Sequence, residues 1–292
     1  MSQTGLQVLG KRACAEGIGT FLLVLIGTGA VYANTQAGGG LGMLGVAFAF
    51  GFVIMTMVYA IGHLSGGHIN PAVTLAFWAM GRFPTRDTLV YIAAQCVGAV
   101  AASLFLVALL GPVGDGGATV PSVAVGPAFA VEWVLSFTLM FVIVAVATDA
   151  RATPGFAGLA IGAVIIADIL MGGGLTGASM NPARSLGPAV ARGIWDTHWL
   201  YWVAPIAGMI AAGWSYEWLR SAAPPELTRR PVVFGVEGPI GMDRRSGKDR
   251  RSGKERRQAG PDPRPAGAPE RRSGRDRRIG PRGGPGGPPG RE

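Results

Sequence analysis

The sequence predicts an all-α integral membrane protein in which six transmembrane helices and two re-entrant half-helices form an inverted repeat. Three observations carry this. Of the 292 residues 49% are hydrophobic and only 15% charged, far from the balance of a soluble domain. The apolar residues gather in runs close to the ~20 residues that a helix needs to cross a ~30 Å hydrocarbon core. The tripeptide Asn-Pro-Ala occurs twice, as Asn70-Pro71-Ala72 and Asn181-Pro182-Ala183, at matching places in the two halves.

The first expected span, 12–34, begins behind Lys11 and Arg12, a basic flank suited to a retained helix, and no cleavable signal peptide is expected. The second, 41–62, runs into the glycine-rich stretch Ser65-Gly66-Gly67-His68-Ile69. Asn70 is then a favoured N-cap and Pro71 a favoured first helical residue, because the N–H that proline lacks has no intrahelical partner there. The helix expected over 71–80 is about ten residues, or ~15 Å, which is half of the hydrocarbon core. Spans 88–110 and 128–148 flank a loop, 111–127, that holds no Lys or Arg. Span 156–175 leads through Thr176-Gly177-Ala178-Ser179-Met180 to the second cap and a second half-helix over 182–192, and 199–219 completes the set.

The halves match beyond the tripeptide. Glu16, Thr20 and Phe21 of the first span parallel Glu132, Ser136 and Phe137 of the fourth, and each Glu precedes its Asn by a similar distance. Repeat 1 covers about 12–110 and repeat 2 about 128–222. Each holds three spans, an odd number, so the second is inverted and the two half-helices enter from opposite sides with their N-termini facing near the midplane. Irregular backbone at that depth is tolerated only inside protein or against a watery cavity. The two glycine-rich loops are therefore expected to line a pore or a site.

Charge divides the chain. Residues 1–222 hold Lys11, Arg12, Arg82, Arg86, Arg151, Arg184, Arg192 and Arg220 against an equal number of Asp and Glu, so the net +9 sits entirely in 223–292. Residues 1–11 are expected as a short cytoplasmic segment, 12–222 as the membrane domain and 223–292 as a disordered basic cytoplasmic tail, since its Arg, Gly, Pro and Ser cannot bury a core. The tail repeats a six-residue unit, Asp243 to Lys248 and Asp249 to Lys254, suited to anionic lipid headgroups. Charge alone would admit nucleic acid, but no aromatic interleaving supports it. Lys11, Arg12, Arg82, Arg86 and Arg151 all fall on one side, which puts both termini in the cytoplasm of a multi-pass cell-membrane protein. Arg184 and Arg192 break that bias.

The stretch from Gly62 through His63, Ser65, Gly66, Gly67, His68 and Asn70-Pro71-Ala72 to Thr74, and that from Gly177 through Asn181-Pro182-Ala183 and Arg184 to Pro188, resemble the two signature loops of the major intrinsic protein family, the aquaporins and glycerol facilitators, here of the bacterial type. The resemblance covers 12 to about 220 and implies a water channel, a homotetramer in the bilayer, with no cofactor, no metal and no enzymatic activity. The Asn70 and Asn181 amides would donate to passing water, and carbonyls of Gly66, Gly67, His68, Gly177, Ala178 and Ser179 would accept along the pore. Spacing within the family puts Phe50, Ile169, Ala178 and Arg184 at the selectivity filter. Strict water channels carry His where Ile169 stands, which favours a wider and more apolar pore. Ser185, Ala189, Tyr201 and Trp202 match water channels instead. Water is the expected main permeant, with small neutral solutes such as glycerol, ammonia or metalloid hydroxides as the alternative.

Glu16 and Glu132 are expected to brace the re-entrant loops by accepting from their backbone N–H groups, as the family's equivalents do. The resemblance supplies no role for Asp168, which is expected as a buried structural carboxylate, with a part in permeation or gating as the alternative. His63 and His68 suit framework hydrogen bonds, and Cys14 and Cys96 suit small core positions. A secondary transporter shares inverted repeats and broken helices, but usually needs ionisable groups at the midplane, where this chain offers neutral Asn, Gly, Ala and Ser.

Overall fold

The computed structural model describes residues 3–222, with side chains from Leu6 onward. The helices are α1 (Gln3–Gln36), α2 (Gly42–Ser65), α3 (Pro71–Ala79), α4 (Thr85–Leu110), α5 (Val125–Thr148), α6 (Ala157–Thr176), α7 (Pro182–Arg192) and α8 (Leu200–Ser221), with no strand among the described residues. α1, α2, α4, α5 and α6 are long and apolar enough to cross a membrane. α8 has matching length but carries Pro205 inside and Glu217 and Arg220 near its end. α1 begins at Gln3, well ahead of Arg12, because residues 3–11 contain no proline to stop it and Lys11 and Arg12 are good helix formers. The basic tail expected over 223–292, with its repeat, lies outside the described residues.

Packing follows the inverted repeat. α1 lies on α4 and α5 on α8, α2 crosses α6 between the repeats, and each half-helix packs on the last long helix of the other repeat, α3 on α8 and α7 on α4. Two glycines at equivalent positions let the helix pairs approach. A Cβ on Gly98 would lie 2.2 Å from the carbonyl oxygen of Gly17, and one on Gly208 would lie 2.3 Å from that of Trp133. Gly17 and Trp133 directly follow Glu16 and Glu132, so these crossings set the depth at which the two carboxylates sit. Membrane helices gain nothing from leaving lipid for one another's apolar surface, so close backbone approach supplies much of the attraction. Gly208→Ala is expected to cost about 1–3 kcal/mol through overpacking. The check is the thermal midpoint in detergent, where no shift would mean that α5 and α8 part freely.

The thiols differ from expectation. Cys14 is exposed on the helical surface and Cys96 is half-buried. In a bilayer the surrounding solvent is itself apolar, so a small apolar side chain gains little by facing inward. On the side of the termini, the Arg82–Glu217 ion pair, the Arg82 Nη1 bond to Thr148 Oγ1 at 2.6 Å and the Tyr216 hydroxyl bond to Asp149 at 3.0 Å tie the α3–α4 turn, α5 and α8 together. Arg151, hydrogen-bonded to Asp149 in the adjoining loop, holds that carboxyl well below its ordinary pKa.

Candidate functional site

Each Asn-Pro-Ala caps a half-helix. Asn70 Oδ1 accepts from Ala72 N–H at 2.9 Å, and Asn181 Oδ1 accepts from Ala183 N–H at 3.0 Å and Arg184 N–H at 3.3 Å. The amide nitrogens reach across the repeat. Asn70 Nδ2 donates to the Met180 carbonyl at 2.8 Å, and Asn181 Nδ2 donates to the Ile69 carbonyl at 3.0 Å. One of the two hydrogens on each amide therefore bolts the opposed loops together. The expectation had the amides donating to a permeant, and only the second hydrogen of each is left for that.

Glu16 and Glu132 hold the loops that present these caps. Glu16 accepts from Ser65 Oγ (2.7 Å), His68 N–H (3.0 Å), Ile69 N–H (2.6 Å) and Gln95 Nε2 (2.9 Å). Glu132 accepts from Thr176 Oγ1 (2.7 Å), Ser179 N–H (2.8 Å) and Met180 N–H (2.9 Å). Both carboxylates are fully buried. Ile69 and Met180 have φ of 41° and 51°, left-handed backbone that non-glycine residues adopt only when their surroundings hold them there. Here a carboxylate takes each N–H and an opposing Asn takes each carbonyl.

The same bonds aim the carbonyls. In a trans peptide N–H and C=O point in opposite directions. With the N–H of His68 and Ile69 turned to Glu16, the Gly67 and His68 carbonyls turn away from it. With the N–H of Ser179 and Met180 turned to Glu132, the Ala178 and Ser179 carbonyls do likewise. Gly66, Gly67, His68, Ala178 and Ser179 all border a cavity of about 100 Å³, and Gly177, the C-cap of α6, is not among its lining residues. The rest of the lining includes the apolar side chains of Leu23, Ile54, Val73, Leu139, Ile143 and Ile165.

Phe50, Ile169, Ala178 and Arg184 line this one cavity together with Asn70 and Asn181. Arg184 is 5% exposed, its Nη1 donates to the Gly117 carbonyl at 2.6 Å, and its Cζ stands 5.0 Å from the centre of the Phe50 ring. The anchor at Gly117 lies in the loop 111–124, which carries no sequence signal beyond glycine and a lack of basic residues. Two more contacts bind that loop to α7, and a third extends one of them. Thr119 Oγ1 donates to Ser185 Oγ at 2.7 Å, Ser185 is hydrogen-bonded in turn to Ser179, and Arg192 Nη2 donates to the Gly114 carbonyl at 2.8 Å. The two arginines that break the basic bias thus both answer carbonyls of one loop.

Residues 5–216 match the family described as Major intrinsic protein. The chain belongs to the major intrinsic protein family. It is 43% identical over 211 residues to "Aquaporin NIP1-3" of Oryza sativa subsp. japonica, covering 72% of this chain and 74% of that one. To "Nodulin-26" of Glycine max it is 42% identical over 211 residues, covering 72% and 78%. These relatives are plant proteins, where the sequence had suggested a bacterial-type member. Among solved structures, the aquaglyceroporin from Plasmodium falciparum superposes with a TM-score of 0.62 at 24% identity, covering 75% of this chain and 98% of that one, and this likeness bears on fold alone.

Within this major intrinsic protein the repeats are not fully symmetric. Tyr91 donates its hydroxyl to the Ser65 carbonyl and Tyr201 to the Thr176 carbonyl, both at 2.7 Å, an equivalence legible in the spacing of the tyrosines from the loops. One turn beyond Tyr91, Gln95 serves Glu16, whereas one turn beyond Tyr201 stands Pro205, which has no side-chain donor. Asp168, 5% exposed, keeps its Oδ2 buried without a hydrogen-bond partner and does not border the cavity. His68 lines the cavity, pairs Nδ1 with Thr74 Oγ1 at 3.2 Å and stacks on Phe77 with ring centroids 4.9 Å apart. No three His, Cys, Asp or Glu side chains gather at metal-binding distance among the described residues.

Proposed function

We propose that this protein is a passive channel that conducts water down osmotic gradients while excluding protons and ions. The observation that carries the reading is the cavity itself, bordered by the two facing Asn caps, residues of both re-entrant loops, apolar side chains and the Phe50–Arg184 pair. Each half-helix N-terminus is equivalent to about half a positive charge, which repels cations at the middle. The second amide hydrogens of Asn70 and Asn181 donate to a water oxygen there, so that molecule cannot also accept from its neighbours, and the proton wire is interrupted. Carbonyls on one side and aliphatic groups on the other bind water strongly enough to admit it and weakly enough to release it.

Small neutral solutes are the second reading. Ile169 and Ala178 leave two sides of the filter without a hydrogen-bonding side chain, and Ala178 adds little bulk, which suits a permeant such as glycerol, ammonia or a metalloid hydroxide. Against it stands Ser185, tied to Thr119 and Ser179. The names of the relatives and of the solved structure speak of both aquaporins and aquaglyceroporins. We further infer a homotetramer in the cell membrane with both termini cytoplasmic, the basic tail on anionic headgroups, and no enzymatic activity.

Stopped-flow light scattering on proteoliposomes, with osmotic water and glycerol permeability measured side by side, decides between the readings. Fast water with slow glycerol is the expected result. Fast glycerol with slow water would make solute transport the main activity, and saturable uptake driven by an ion gradient would make the protein a secondary transporter.

A further inference from the structure

Phe50 and Arg184 both border the cavity, and both are reached from the same step of α1. A Cβ built on Gly27 would lie 2.2, 2.5 and 2.6 Å from Cε1, Cδ1 and Cζ of Phe50. The ring is thus seated in the notch that the missing side chain leaves, with the Arg184 guanidinium over it at 5.0 Å. One residue on, Thr28 meets the loop that anchors Arg184. A Cβ on Gly117 would lie 3.0 Å from Thr28 Cβ and 3.1 Å from its Cγ2, so the loop backbone rests on the side chain of Thr28. The Thr28 hydroxyl is turned back to the Val24 carbonyl of its own helix. It is the Gly117 carbonyl that receives Arg184 Nη1 at 2.6 Å.

We propose that the Gly27-Thr28 step of α1 sets the aperture of the filter, Gly27 by letting the Phe50 ring withdraw from the cavity and Thr28 by supporting the carbonyl that holds Arg184 in place. Both are positioning residues, and neither borders the cavity. The inference rests on the reading of Phe50 and Arg184 as the filter. A methyl group at position 27 removes the notch. To regain ordinary carbon–carbon contact at ~3.5–4.0 Å the ring must move by more than about 1 Å. α1 blocks one direction and the cavity is the free volume in the other, so the ring moves into the cavity and the opening narrows. In a pore that admits single small molecules, a shift of that size changes which of them pass.

The test uses the full chain in proteoliposomes with a panel of water, ammonia, urea and glycerol. For wild type, flux of water or of any solute supports the channel reading, and a vesicle as tight as bare lipid would sink that reading whatever the variants do. Gly27→Ala is expected to lower the permeability of the largest solute that wild type passes by about tenfold relative to the smallest permeant, the scale on which a pocket discriminates a methyl group. If wild type passes water alone, water permeability falls instead. Made in a Phe50→Leu background, as the Gly27→Ala/Phe50→Leu double variant, the same change is expected to leave the cutoff of Phe50→Leu nearly unaltered, which a merely structural role for Gly27 would not do. Thr28→Ala is expected to raise proton leak while Thr28→Val, which keeps the supporting methyl, is expected not to. An unchanged cutoff in a Gly27→Ala protein that elutes and melts as wild type overturns the proposal. Should Gly27→Ala fail to fold, recovery of folding in the double variant supports the notch, and failure of both overturns it.

Discussion

Vesicles containing the Arg184→Ala protein are expected to conduct water at close to the wild-type rate and to leak protons and cations far faster. Arg184 is buried, borders the cavity and is pinned by Gly117, so on the channel reading its charge is fixed beside the path of an entering cation. A unit charge ~6–8 Å away, at an effective dielectric constant of ~20, opposes a cation by about 2–3 kcal/mol. At 1.36 kcal/mol per tenfold in rate, its loss raises cation entry by about thirty- to hundredfold. Water, being neutral, loses a hydrogen-bond donor and gains width, two changes that oppose each other. Arg184→Lys keeps a charge but not the planar fork, which can donate to Gly117 and still present N–H groups to the cavity, so it is expected to restore ion exclusion more fully than solute selectivity. The measurement is the decay of an imposed pH gradient followed with an internal dye, alongside osmotic shrinkage. A leak equal to wild type in Arg184→Ala vesicles that still shrink at the normal rate would show that exclusion resides wholly in the half-helix caps.

Removing a bracing carboxylate is expected to unmake the fold rather than tune it. Glu132→Ala deprives Thr176, Ser179 and Met180 of their acceptor in a site closed to water. Each orphaned buried donor costs about 1–3 kcal/mol, so the set costs ~3–9 kcal/mol against a typical total stability of ~5–15 kcal/mol. The loss also frees Met180 from the bond that holds its left-handed backbone, and the carbonyl that Asn70 grips goes with it. Glu16→Ala is expected to be worse, because four donors lose their partner there. Size-exclusion chromatography of detergent extracts after stepwise heating reads the effect, with Glu132→Gln expected between wild type and Glu132→Ala since it retains one acceptor oxygen. A Glu132→Ala protein that melts at the wild-type temperature would mean that the loop stands without its brace.

How much of this was legible beforehand depended on range. The half-helices start at Pro71 and Pro182 as expected and stop at Ala79 and Arg192, within a residue of expectation, because a cap is a contact between neighbours in the chain. α1 contains the expected span 12–34 and extends ahead of it to Gln3, since no stop signal lies between Gln3 and Arg12. Ser65 and Thr176, Tyr91 and Tyr201 could have been paired by comparing the two repeats, and so could the mismatch of Gln95 with Pro205. The part played by Gly117 could not. The loop 111–124 has neither hydrophobic period nor charge pattern, and its meaning lies in the oxygen that Arg184 finds there.

The sequence by itself determined the membrane class, the inverted repeat, the two half-helices and their facing N-termini, because these rest on composition, span length and cap chemistry, all local in the chain. Only the tertiary structure decided that one hydrogen of each Asn amide closes the midplane instead of facing the permeant, that loop 111–124 anchors Arg184, and that Gly27 leaves the notch for Phe50. Those are contacts between residues distant in sequence, and van der Waals fit and hydrogen-bond direction exist only once the helices have packed.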